Sequence, residues 1–140
     1  MNKFRAAGVL FRTPDRYYLL AQRGRNGTRP FKWGLPGGGV EVGEDPQDSA
    51  VREVIEELGS MPPEFEWSGL VFVRPTPSRH GLFYSYVYDV PSSTIEDWKI
   101  DIGPNNPFGH ETAQVRWLTA ADIEQLKRLD QLVGEIILPG

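Results

Sequence analysis

A chain of 140 residues with 39% apolar and 24% charged side chains can bury one sizeable core and reads as a single domain over 1–140. Its net charge of -4 and pI near 5.2 argue against general nucleic-acid binding. Its apolar runs, such as Gly69–Val73, fall far short of the roughly 20 residues of a membrane span. The apolar piece Ala6–Phe11, closed by Arg12, is too short for a leader. With no cysteine there is no disulfide framework and no thiolate metal site, and a reducing cytoplasmic location is expected.

In chain order, Lys3–Arg12 and Tyr17–Gln22 read as strands joined through Thr13–Arg16, a hairpin pattern. Gly24–Lys32 is a polar loop with Arg25, Arg29 and Lys32. Trp33–Val42 contains Pro36 and then Gly37, Gly38 and Gly39, so irregular backbone is expected there. A helix follows, with Asp45 as N-cap, Pro46 in the first position and Asp48 near the positive terminus. Val51, Val54, Ile55 and Leu58 form its apolar stripe, and Gly59 ends it. Phe65–Val73 and Leu82–Val90 are rich in aromatic and branched residues and read as strands. Pro75 and Pro77 make Arg74–Gly81 a loop. Pro91–Gly109 is a long loop with a short extended piece at Lys99–Ile102. Thr112–Leu118 is a last strand. Thr119 and Asp122 form a capping box for a helix from Ala120 that Gly134 interrupts. This order points to an α+β fold or a mixed-sheet sandwich.

Charge is segregated along the chain. Met1–Lys32 holds eight basic residues and one acid, whereas Glu41–Glu66 holds nine acids and one arginine. A metal–phosphate ligand uses both signs, carboxylates for the cation and arginine or lysine for the anion; two oppositely charged solvated faces are the alternative. The helix sharpens the choice. Glu53, Glu56 and Glu57 stand at i, i+3 and i+4, opposite the apolar stripe, with only Arg52 adjacent. Like charges at that spacing cost roughly 0.2–0.5 kcal/mol per pair. Three unrelieved carboxylates suit a hard divalent cation, Mg²⁺ or Mn²⁺, better than a plain acidic surface.

Gly38, five residues, Glu44, seven residues, then Arg52, Glu53, Val54, Ile55, Glu56, Glu57, Leu58 and Gly59 resembles the Nudix box, which spans residues 38–60 here. Eight of its nine specified positions match; Ser60 stands where the family has an aliphatic residue, and Met61 is next to supply an apolar contact. With seven fixed identities at roughly 1 in 15 each, chance gives such a match about once in 10⁸ start points. The preceding hairpin, the Trp33–Gly38 run and the Arg116–Leu118 segment before a capped helix are similar to the family as well. The resemblance implies a mixed β-sheet sandwiched between helices (α/β/α). It also implies hydrolysis of a nucleoside diphosphate linked to another moiety, by water attack on phosphorus. The implied metal ligands are Glu53, Glu56 and Glu57 with the Gly38 carbonyl, and Glu44 and Arg52 are implied as supports. Glu111, ahead of the last strand, is implied as a further acid, with a surface carboxylate as the alternative.

The general base would be Glu56, Glu57 or Glu111. Arg23, at a strand end, is expected to contact phosphate; Trp33 is a candidate for stacking on a base, and Gly37 and Gly38 let the backbone approach the substrate closely. Pro75, fifteen residues beyond the box, resembles ADP-ribose pyrophosphatases. The tyrosine of dinucleoside-polyphosphate hydrolases is absent, residues 76 to 78 being Thr, Pro and Ser. Nucleoside triphosphates and nucleotide sugars both remain open as substrates. Two rival readings are a non-catalytic nucleotide sensor, in which the acids would be eroded, and a calcium-stabilised scaffold, for which no EF-hand-like loop is present.

Overall fold

The computed structural model describes residues 4–78 and 81–139. Lys3, the expected start of the first strand, and residues 79 and 80 of the expected loop lie outside them. The strands are β1 (Phe4–Arg12), β2 (Tyr18–Arg23), β3 (Trp33–Gly34), β4 (Gly37–Gly39), β5 (Val71–Ser78), β6 (Gly81–Asp89) and β7 (Thr112–Leu118). The helices are α1 (Pro46–Leu58), α2 (Thr94–Asp97) and α3 (Ala120–Arg128).

The sheet runs β3-β2-β1-β6-β5, with β4 added to β1 and β7 to β2. β1 and β6 are parallel while the other pairs are antiparallel, so the sheet is mixed. Alternation along the central strands fills both faces. Ala7, Val9, Phe11, Leu19, Tyr86 and Tyr88 pack with Ala50, Val54 and Leu58 of α1. Leu10, Tyr18, Leu20 and Val87 point the other way, toward Ile123 of α3 and Leu132 of the C-terminal segment. The fold is therefore α+β, with helices on both sides of a mixed sheet.

Several boundaries differ from expectation. Arg74–Ser78 is strand, not loop: β5 lies at the sheet edge, where a missing proline N–H breaks no ladder, and its register shifts between Phe72 and Pro75. Phe65–Leu70 is not strand; a 3₁₀ turn occupies Trp67–Gly69. The aromatics there serve packing instead, Phe65 lying 5.6 Å from Trp67 and 5.1 Å from Tyr88 between ring centres. The glycine-rich stretch contributes β3 and β4 rather than irregular backbone alone. Residues 99–102 form no strand, and the long loop contains α2. α3 stops at Arg128, before Gly134, so the glycine interrupts nothing. Its Thr119–Asp122 capping box is formed, with bonds of 3.0 and 3.2 Å.

Candidate active site

Helix α1 is the scaffold. Pro46 occupies its first turn and Gly59 closes it at φ 88°, donating its N–H to the Ile55 carbonyl at 2.8 Å. Asp45 stands at the N-cap position, but its side chain makes no capping bond; only its backbone carbonyl accepts, from Ser49 N–H at 3.0 Å. The buried stripe is Ala50, Val51, Val54 and Leu58, with Ile55 left 44% exposed at its edge. Ala50 takes the core position that a reading from the larger residues assigns to Ile55.

Arg52 organises the acids. Its guanidinium clamps Glu44 through both oxygens, Nε to Oε2 at 2.9 Å and Nη2 to Oε1 at 3.0 Å. Nη1 reaches Glu53 at 3.0 Å and Glu56 at 3.3 Å, and Nη2 also donates to the Gly39 carbonyl at 3.0 Å. Planar, bidentate geometry of this kind fixes orientation as well as charge. Glu44 additionally accepts from the Ser49 hydroxyl and from Glu41 N–H. These bonds, Arg52's first, hold its carboxyl down at about 2. The Arg52 guanidinium is in turn held above its ordinary range, chiefly by Glu44.

The glycines of β4 bring backbone against the helix acids. β4 lies on β1 in the register Ala7↔Gly38 and Gly8↔Gly37. A Cβ on Gly37 would collide with the Ala7 carbonyl, and one on Gly38 with the carboxylate of Glu53. Gly37 N–H donates to Glu57 at 3.0 Å. Burial nevertheless pushes the Glu57 carboxyl up to about 8, and the charges of Glu53 and Glu111 add to that. The Glu53 carboxyl is raised too, by burial first and then by Glu56.

Glu111 ends a 3₁₀ turn, Gly109–Glu111, that packs against α1. Its carbonyl accepts Gly24 N–H at 3.0 Å, which ties the turn to the end of β2. Arg23, the last residue of β2, donates to the Thr28 carbonyl at 2.9 Å and hydroxyl at 3.0 Å. Burial lowers its pKa, the neighbouring Arg29 charge lowers it further, and Glu57 opposes both. Thus Glu44, Arg52, Glu53, Glu56, Glu57, Glu111, Arg23, Gly37 and Gly38 gather at one end of the sheet.

Trp33 does not join them. It is buried in the α3-side core, and its backbone pairs with the C-terminal segment through Gln131 and Val133. Phe31, half exposed with φ 64°, is the open aromatic of that loop. Lys32 lies 3.4 Å from Asp130. Two contacts here carry no sequence signature. Ser60 accepts the indole N–H of buried Trp98 at 3.0 Å, and Asn106 donates to carbonyls at the end of α1.

Among the described residues no three acidic or imidazole side chains stand close enough to enclose a metal ion by themselves. The donor set is all oxygen, and the Gly38 backbone lies against the Glu53 carboxylate where any side chain would fill the space. That chemistry fits a hard divalent cation that keeps much of its water and takes remaining ligands from a phosphate substrate.

The family model described as NUDIX domain matches residues 2–138. The chain is 26% identical over 121 residues to the 8-oxo-dGTP diphosphatase of Escherichia coli, covering 85% of this chain and 82% of that one. It is 36% identical over 104 residues to human diphosphoinositol polyphosphate phosphohydrolase 2, covering 72% of this chain and 54% of that protein. Among solved structures, the MutT protein of Methanosarcina mazei superposes with a TM-score of 0.58 at 23% identity, over 94% of this chain and 87% of that one, a likeness of fold.

Proposed function

This chain belongs to the Nudix family, as a hydrolase of phosphoanhydride bonds, and from that premise we propose that it cleaves a nucleoside diphosphate derivative by Mg²⁺- or Mn²⁺-dependent attack of water on phosphorus. The observation that carries the reading is the Arg52 fork, which holds Glu44, Glu53 and Glu56 together while Gly37 N–H holds Glu57. An acidic face with no ligand gains nothing from such alignment.

Glu53, Glu56 and Glu57, with the Gly38 carbonyl, are the residues that would hold the cation. When bound, it supplies charge neutralisation at the diphosphate and a lower pKa for attacking water. Glu44 touches no substrate in this scheme; it fixes the rotamer of Arg52. Glu56 is engaged by Arg52 and Glu57 by Gly37, whereas the exposed Glu111 carboxylate makes no hydrogen bond or ion pair among the described residues. Glu111 is therefore the acid with no internal partner among the described residues, and we assign it as proton acceptor from the water. Arg23 would contact the departing phosphate.

The E. coli relative's name supports nucleoside triphosphates as the substrate class to try first. Pro75 lies within edge strand β5 and adds no argument for ADP-ribose. No helix among the described residues is long and apolar enough to cross a membrane.

Reaction in ¹⁸O-labelled water with Mg²⁺ tests the reading. One label should appear on a phosphorus-bearing product, and chelation should abolish turnover. Binding of nucleotides without turnover would return the sensor interpretation.

A further inference from the structure

An α-helix leaves its last four carbonyls without partners in the helix. In α1 those belong to Ile55, Glu56, Glu57 and Leu58. Ile55 accepts Gly59 N–H at 2.8 Å, and Leu58 accepts Asp101 N–H at 2.8 Å. The other two, on the residues whose side chains matter most, both accept from one side chain: Asn106 Nδ2 lies 3.0 Å from Glu56 O and 3.2 Å from Glu57 O. The same nitrogen is 2.7 Å from Asp101 O.

From Asn106 a short run of bonds leads to Glu111. Asn106 Oδ1 accepts Phe108 N–H at 3.0 Å and Asn106 O accepts Gly109 N–H at 2.9 Å. Phe108 O then accepts Glu111 N–H at 3.2 Å. Gly109 lies so close to Ile102 that a Cβ would collide with its carbonyl. The segment is thus braced internally, and its attachment to the helix end passes through Asp101 and Asn106.

We infer that Asn106 is a positioning residue: its carboxamide ties the last turn of α1 to the loop bearing Glu111, and so sets the spacing between Glu111 and the helix acids. The inference rests on the assignment of Glu111 as proton acceptor. Asn106 touches no reacting atom in this scheme; its effect on rate is exerted through Glu111.

The test is a double-mutant cycle on the full chain, with kcat and KM measured with Mg²⁺ below the melting temperature of every variant. Glu111→Gln should lower kcat by about 10²–10⁴-fold. Asn106→Ala should lower kcat by about tenfold or more with KM within about twofold, because a displaced base weakens the chemical step and not ground-state binding. In the Glu111→Gln background the Asn106 substitution should cost less than about twofold. Asn106→Asp, which keeps the acceptor for Phe108 and loses the donor, should behave like Asn106→Ala and serves if that variant does not fold. Losses that multiply, or an unchanged kcat in Asn106→Ala, would overturn the inference while leaving Glu111's role intact. Full activity of Glu111→Gln would overturn that role, and the inference with it.

Discussion

Ser60 departs from the Nudix pattern, and the structure gives the departure a use. Its hydroxyl accepts the indole N–H of Trp98, which is 5% exposed. Ser60→Leu removes that acceptor, and an unpartnered buried donor costs about 1–3 kcal/mol. Thermal unfolding of Ser60→Leu should show the loss, while kcat stays within about twofold, since Ser60 holds no acid of the site. Glu57 makes a second residue-scale prediction. In the metal-free folded protein its carboxyl titrates near 8 because of burial and the charges of Glu53 and Glu111. An unfolded chain releases that proton near pH 4.3 or so. The folded state therefore binds more protons between the two values, and stability is lost as pH rises through the folded value. Melting of the metal-free protein should move to lower temperature from about pH 5 to pH 8, and Glu57→Gln should flatten that slope. Glu44 has the opposite sign. Its carboxyl is depressed to about 2 by Arg52 first, then Ser49, so its stabilisation is present above the unfolded value and vanishes as pH falls toward 2. Glu44→Gln should be less destabilised by acid than the unmodified chain, as melting between pH 5 and 2 would register.

At the scale of elements, α1 was legible because its signals agree: Pro46 at the start, Gly59 at the end and an apolar stripe between them. Ile55 was misplaced because periodicity weighs side-chain size, and small Ala50 holds the core position. β3 and β4 span two and three residues, too few for any alternation to register. β5 was hidden for another reason. Pro75 and Pro77 normally break strands, yet at an edge the lost N–H has no partner to lose. The grouping of the candidate-site carboxylates was readable from their spacing on one helix, but their hydrogen-bond partners were not. Nothing local to Asn106, in a stretch rich in proline and asparagine, points to a helix end fifty residues away. The β4–α1 contact makes its own prediction. In Gly38→Ala the new Cβ meets the Glu53 carboxylate, so Glu53 must leave its place beside Arg52. The variant should lose kcat by about 10²-fold or more, as removal of an oriented group does, in the same steady-state assay.

The whole molecule joins two cores across one sheet, with α1 on one face and α3 on the other. That architecture places the acid-bearing helix, the end of β2 with Arg23 and the turn with Glu111 at one end of the sheet. The acidic and basic blocks of the sequence, more than twenty residues apart in places, meet there: Arg23 lies close enough to influence Glu57. Segregated charge thus reads as two parts of one candidate site, in which the α1 carboxylates are proposed to hold a divalent cation. Differential scanning calorimetry of the unmodified chain and Glu57→Gln, each with and without Mg²⁺ near neutral pH, tests that proposal most directly. Mg²⁺ at about ten times its Kd should stabilise the unmodified chain by roughly 1.4 kcal/mol, a rise of about 3–6 °C for a domain of this size. Without metal, Glu57→Gln should melt at the same temperature or higher, because folding at neutral pH no longer has to protonate a buried carboxyl, and added Mg²⁺ should move it much less. Equal Mg²⁺ shifts in the two proteins, or none in either, would contradict the account.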